Sequence, residues 1–173
     1  GQKTYNGVAI LSRTPSRDVV TNIPGFADEQ SRVIAATVDA SDGGALRIVN
    51  GYFVNGQAPG SEKFDYKMRW LGALHDQIRA ELENHPRLAL LGDFNVTAED
   101  RDSWDPEGLR ETIHHTTAER EHFQALLGLG LHDSFRLFEQ PEKSYSWWDY
   151  RDFAFRRNHG LRIDHILVSD AQQ

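Results

Sequence analysis

Apolar and polar positions fall into blocks of different period along the chain. "RVIAATVD" at 32–39 and "ALRIVNGYF" at 45–53 are short apolar runs on either side of the turn signal "SDGG" at 41–44, and together they predict a hairpin. "GVAILSR" at 7–13 has turn residues on both sides and predicts a further buried strand. From Ser61 the period lengthens: Phe64, Met68, Leu71, Leu74, Ile78 and Leu82 recur at threes and fours with charges between them. That pattern describes an amphipathic helix ended by Asn84 and Pro86.

Leu88 to Leu91 read next as a strand buried on both faces, and the strand runs on into Gly92, Asp93, Phe94 and Asn95. Residues 100–108, "DRDSWDPEG", carry no period and predict a loop. Thr116 with Glu119 is a capping-box signature for a second helix through Phe123, Leu126 and Leu127, stopped by Gly128 and Gly130. "KSYSWWDY" at 143–150 and "LRIDHILVS" at 161–169 both read as strands. Hairpins mixed with helices that follow strands predict an α/β layered sandwich with mixed, mostly antiparallel sheets.

At 173 residues with 39% hydrophobic and 26% charged positions, the chain suits one domain with a sizeable core. There is no cysteine, so histidine and oxygen donors are the available metal ligands, and a hard cation is the expected metal. No stretch approaches the ~20 apolar residues that cross a bilayer, and "GQKTYNG" lacks a signal-peptide pattern, so a soluble, cytosolic protein is expected. The first residue is Gly1 rather than Met, so the chain is expected to begin elsewhere than at a natural translation start. A formal charge of −7 argues against a generally basic nucleic-acid-binding surface. Binding of that kind would have to be local.

Several strands carry polar groups near one end: Asn50 and Tyr52, Asp93 and Asn95, Trp147 with Asp149, and Asp164 flanked by His165. Each alone is ordinary, since strand-terminal Asp and Asn form turns and caps, and His165 suits a packed core histidine. Gathered at one sheet edge, these groups suit a Mg²⁺ site and a phosphoryl-transfer pocket, which need carboxylates and aimed donors. On an extended chain Asp93 and Asn95 would share a face. Between 150 and 162, Arg151, Arg156, Arg157 and Arg162 interleave with Tyr150, Phe153, Phe155 and His159, a local phosphate-and-base surface in an acidic chain.

"YNGVAILSR", "NGYFVNGQ", "LLGDFNV", "LGLHDSFR", "YSWWDYR" and "GLRIDHILVS" occur in this order along nearly the whole chain. In them the sequence resembles the exonuclease III family of abasic-site endonucleases, within the endonuclease/exonuclease/phosphatase superfamily. "GDFN" is shared with phosphatases of the superfamily, whereas "SWWDYR" followed by "NHGLRID" is more particular to the DNA-repair branch.

The resemblance implies a deoxyribonuclease I-like fold and a Mg²⁺-dependent enzyme, with Mn²⁺ as a substitute. Such an enzyme hydrolyses the phosphodiester 5′ to abasic sites and trims 3′ ends. It also implies roles for particular residues. Asp93 would handle the attacking water or the leaving oxygen, and Asn95 would donate to the phosphate beside the metal, making Asp93 and Asn95 the metal residues. Tyr52 would act at the phosphate with Asn50 in support, and Asp164 would orient a catalytic histidine. Trp147 would pack on the abasic sugar, and Arg151 would approach the DNA backbone. The implied partner is double-stranded DNA with abasic sites or 3′ ends, with no membrane, bound by a monomer in a bacterial cytoplasm.

The family's first strand with its asparagine, its metal-binding glutamate and its closing "SDH" motif find no counterpart in residues 1–173. His165 is no substitute, because neighbouring strand residues face opposite ways. The expectation is one domain over 1–173 lacking its first strands and its last, inactive as this fragment. Two other readings compete with it: a non-catalytic DNA-binding remnant, and a superfamily phosphatase for a phosphorylated small molecule or lipid headgroup.

Overall fold

The structure is a computed structural model and describes residues 3 and 5–172. A six-stranded mixed sheet organises it, with β1 (Arg17–Thr21), β2 (Val33–Asp39), β3 (Ala45–Tyr52), β4 (Leu88–Asp93), β5 (Leu131–Asp133) and β8 (Asp164–Ser169) in the order β1-β2-β3-β4-β8-β5. Only β3 and β4 pair in parallel, because α1 (Glu62–Asn84) carries the chain back between them. α2 (Thr117–Leu127) packs beside α1, and a two-stranded ribbon forms from β6 (Trp147–Trp148) and β7 (Gly160–Leu161), with the one-turn helix α3 (Ala154–Arg157) between them.

Both long helices begin where the sequence says they should. Ser61 Oγ accepts the Phe64 N–H at 3.1 Å, and Thr116 and Glu119 close a reciprocal capping box. α1 lays Trp70, Leu71, Leu74 and Ile78 onto one face of the sheet, where they join Val33, Ala35, Val49, Leu88, Leu90 and Leu167 in one core, and Phe64 is buried as well. Met68 and Leu82, expected in the stripe, are half-buried, and Lys67 and Gln77 are buried in it instead. The other face carries Ile34, Ile48, Leu91 and Val168 half-exposed and Ile166 51% exposed, so β4 is buried on one face and not on both.

Three expected strands change. "GVAILSR" is no strand: Leu11 is 97% exposed, and the sheet edge beside β2 is taken by β1. An apolar run states a preference for burial but supplies no partner strand. "KSYSWWDY" contributes only its two tryptophans. "LRIDHILVS" is split, because Arg162 and Ile163 leave the ribbon before the main sheet begins at Asp164. The 100–108 segment is irregular as expected, with a 3-10 turn at Asp100–Asp102. Among the described residues no helix is long and apolar enough to cross a membrane.

Leu74 is fully buried between α1 and the sheet. Replacing it with Ala is expected to cost about 2–5 kcal/mol, read as a fall in the urea midpoint with unchanged slope; a midpoint within error of the parent would show that the α1–sheet interface is not the core.

Candidate active site

The strand registers bring the polar strand ends together. Tyr52 lies opposite Asp93 across the parallel β3–β4 pair, and Asp93 lies opposite Asp164 across the antiparallel β4–β8 pair. All three therefore stand in one cross-strand row at the end of the helix-free face. The row behind it holds Asn50, Leu91 and Ile166.

Close approach of β3 and β4 makes the row possible. Gly92 has φ +138°, and a Cβ there would lie 1.9 Å from the Gly51 carbonyl oxygen and 3.0 Å from Asn50 Oδ1. Only glycine fits such a position. Asn50 Nδ2 donates to the Ala9 carbonyl at 2.9 Å, tying the 5–13 segment across this face. Arg32 stacks over the Tyr52 ring at 5.1 Å and donates to the Tyr52 carbonyl at 3.2 Å.

Burial pushes the Asp93 carboxyl up to about 6, and the Asp164 charge opposite adds to the rise. The Asn95 backbone N–H, donating to Asp93 Oδ1 at 2.9 Å, and the Lys67 charge act the other way. A carboxyl poised near neutral pH can take or give a proton under ordinary conditions.

Asn95 requires a correction. β4 ends at Asp93, and Asn95 adopts the left-handed region with φ +51°, so the period-two reading that put both side chains on one face fails. Its side chain is 4% exposed: Nδ2 donates to the Phe53 carbonyl at 3.0 Å, and Oδ1 accepts from Asn55 at 3.4 Å. Its side chain thereby ties the loop after Asp93 to the loop after Tyr52. The carboxylate beside Asp93 in the cross-strand row is Asp164. Among the described residues no group of three or more His, Cys, Asp or Glu side chains could hold a metal by itself. The opposed Asp93 and Asp164 carboxylates nevertheless fit a hard divalent cation, which takes one or two carboxylates and completes its shell with water or phosphate.

The ribbon is anchored at the same place. Ser146 Oγ accepts the N–H groups of Ile163 and Asp164 at 3.1 Å each, which ties the ribbon to the start of β8, and Trp147, next in the chain, keeps 42% of its surface exposed. A cleft of about 420 Å³ next to Asp164 is lined by Phe135, Phe138, Tyr145, Ser146 and Ile166 among others. A larger groove of about 1140 Å³ includes Arg32, Asn55, Gln57, Lys63 and Tyr66.

The expected arginine surface survives in part. Arg151, Arg156 and Arg157 are exposed, as are Tyr150, Phe153 and Phe155. Arg151 pairs with Asp149 through two bonds of 3.0 Å, an exposed pair that a phosphate could displace at little cost. Arg162 is not part of that surface: it is 4% exposed and gives its guanidinium to Asp102 and Asp133.

His165 is a packed histidine, as its alternation suggests; Nε2 donates to the Val96 carbonyl at 2.8 Å and its ring meets Phe94 and Phe123 edge-on. Sequence reasoning passed over His114. Its Nδ1 donates to the Asn95 carbonyl at 2.6 Å, and burial lowers its pKa to about 4, so it is neutral. The paired histidines just ahead of the capping box were the available signal.

The model of the endonuclease/exonuclease/phosphatase family matches residues 1–172. Exodeoxyribonuclease III of Haemophilus influenzae is 34% identical over 178 aligned residues, covering 98% of this chain and 66% of its own length. A Neisseria 3′ phosphatase solved with a product DNA hairpin superposes with a TM-score of 0.93 at 50% identity, over 99% of this chain and 65% of that one. An AP endonuclease from Archaeoglobus fulgidus follows with a TM-score of 0.81 at 26% identity, over 91% of this chain and 60% of that one. The chain thus spans about two thirds of the length of these relatives, and its mixed α/β fold is theirs.

A carboxyl with a higher pKa folded than unfolded binds its proton more tightly in the folded state. Stability is then lost as pH rises from about 4 to about 6 and stays lost above. Without divalent cations, Asp93→Asn is expected to stabilise the fold by about 1–2 kcal/mol at pH 7, after discounting for solvent screening, and negligibly below pH 4. Thermal melts at the two pH values check this; equal effects at both would remove the buried-charge account.

Proposed function

Because the chain belongs to the endonuclease/exonuclease/phosphatase family, we propose that it carries the hydrolytic centre of a DNA-repair nuclease of the exonuclease III type. The observation that carries the proposal is the row Tyr52, Asp93, Asp164 at the end of an open sheet face, flanked by an aromatic-lined cleft. The substrate is double-stranded DNA with abasic sites or 3′ ends.

Trimming a 3′ end, removing a 3′ phosphate and incising 5′ to an abasic site all break a bond between phosphorus and a 3′ oxygen. One site can therefore serve all three. Likeness at 50% identity to a Neisseria 3′ phosphatase favours 3′ ends as the leading substrate, with abasic incision second.

Asp93 takes the proton of the attacking water as the new P–O bond forms, and the departing 3′ oxygen is protonated from solvent. Tyr52, one strand away, presents its hydroxyl to a phosphate oxygen and so favours the crowded transition state. Asn50 keeps the 5–13 segment across the face beside it. Asp164 and Asp93 would hold Mg²⁺, or Mn²⁺ in its place, and the cation would neutralise phosphate charge in the transition state. Trp147 packs against the sugar at the reacting nucleotide, and Arg151 exchanges Asp149 for a backbone phosphate.

The test uses end-labelled duplexes carrying a 3′ phosphate, a recessed 3′ end or an abasic-site analogue, with Mg²⁺ or with chelator. Cleavage that needs the metal and releases a 3′ hydroxyl supports the proposal; no cleavage of any duplex alongside hydrolysis of phosphorylated small molecules overturns it. Asp93→Asn is expected to lower kcat by about 10³-fold or more, with DNA affinity within a few-fold of the parent. Equal losses in both would make Asp93 a binding residue. Trp147→Ala is expected to weaken DNA binding by about tenfold, the scale of one lost stacking contact, in a titration with fluorescent duplex.

A further inference from the structure

Lys67 is buried in the second turn of α1 and forms an ion pair with Glu119 of α2, with neither side chain exposed to solvent. Such a pair is weak evidence of stability. Its desolvation offsets most of its attraction, and apolar replacements of similar volume are often neutral or stabilising.

What an apolar pair could not do is hold particular carbonyl groups. Lys67 Nζ has three donors and directs them at the Asn55 carbonyl at 3.1 Å, the Asn95 carbonyl at 2.8 Å and Glu119 Oε1. Glu119 accepts the His114 N–H at 3.2 Å, the Thr116 N–H at 3.1 Å and the Thr116 hydroxyl at 2.8 Å. His114 returns to the Asn95 carbonyl through Nδ1 at 2.6 Å.

Three loops therefore meet at one charged point: the loop after Tyr52, the loop after Asp93 and the loop leading into α2. The packing around the lysine stem is closed. A Cβ at Gly56 would lie 2.8 Å from Lys67 Cδ and 3.2 Å from Ile113 Cδ1.

We propose that Lys67, with Glu119 as its counter-charge, is a positioning residue for the hydrolytic site: it fastens the loop after Asp93 to the loop after Tyr52, and so keeps the Asn95 N–H on the Asp93 carboxylate. This rests on the hydrolytic reading of the Tyr52–Asp93–Asp164 row. Lys67 is fully buried and touches no substrate; it acts through the backbone of Asn55 and Asn95.

Three variants test it in the full-length protein: Lys67→Met, the double variant Lys67→Met with Glu119→Leu, and Glu119→Gln. Lys67→Met alone leaves a buried uncompensated carboxylate and is expected to lower the melting temperature sharply. The double variant removes both charges and is expected to remain folded. In it, amide hydrogen exchange in 53–58, 93–98 and 112–117 should rise together by about tenfold or more, while 33–39 in the central sheet keeps its protection. Cleavage kcat should fall by about 100-fold with KM within about threefold, the scale of a small misplacement of reacting groups. Glu119→Gln keeps one carbonyl oxygen as acceptor for Lys67 and the His114 N–H but turns an amide NH₂ toward the Thr116 N–H, and it should fall between the parent and the double variant in both readouts.

A folded double variant with parental loop exchange, or with kcat within about threefold of the parent, overturns the proposal. So does failure of both the double variant and Glu119→Gln to fold, which would make the pair an element of stability alone. If the parent cleaves nothing, the hydrolytic reading falls and the positioning role with it, while the exchange data still show whether Lys67 ties the three loops together.

Discussion

Two carboxylates facing each other across neighbouring strands are the constraint around which this molecule is arranged. Directly opposed like charges on a sheet disfavour their own pairing, yet Asp93 and Asp164 cannot slide apart. A shift of β8 by one residue would turn Leu167 out of the core and His165 away from Phe94 and Phe123. The apolar face of the sheet thus imposes an unfavourable contact on its other face. Burial, with the opposed Asp164 charge adding to it, holds the Asp93 carboxyl near neutral pH, the property an acid–base group requires.

Charge is managed differently away from that row. Asp102, fully buried, receives both Arg162 and Arg136, and Arg162 also engages Asp133, so a cluster of four charged groups binds the 100–104 segment to β5 and to the start of β8. Desolvation raises the Asp102 pKa, but the two guanidinium partners outweigh it and hold the carboxyl below its usual range. The same cluster steadies the ribbon through the Ser103–Leu161 bridge, and Ser146 ties the ribbon to the start of β8. An acidic chain with a formal charge of −7 can present a local cationic surface in this way: some arginines are spent on internal carboxylates, while Arg156 and Arg157 remain on the outside of α3.

Backbone geometry is concentrated where the chemistry is. The opposed pair Gly51 and Gly92 lets β3 and β4 approach just before the acid row, and the left-handed turn at Asn95 follows it at once. The chain leaves the sheet so abruptly that Asp93 becomes the last side chain of its strand on the open face. Asn95 is drawn beneath the site, where its amide is satisfied by Phe53 and Asn55.

The sequence by itself determined the elements whose signals are local. The α1 stripe, the Thr116–Glu119 capping box, the hairpin around "SDGG" and the polar strand ends at Asn50, Tyr52, Asp93 and Asp164 were all legible, because periodicity and capping act over a few residues. Only the tertiary structure decided which strands became neighbours. It left "GVAILSR" unpaired, buried Arg162 against Asp102 and Asp133 instead of exposing it, and turned Asn95 inward while placing Asp164 next to Asp93. It also joined Lys67 to Glu119, fifty-two positions apart in the chain. Residues brought together across such separations are chosen by strand register and by the cost of leaving a buried charge unpaired, and neither quantity exists until the chain has folded.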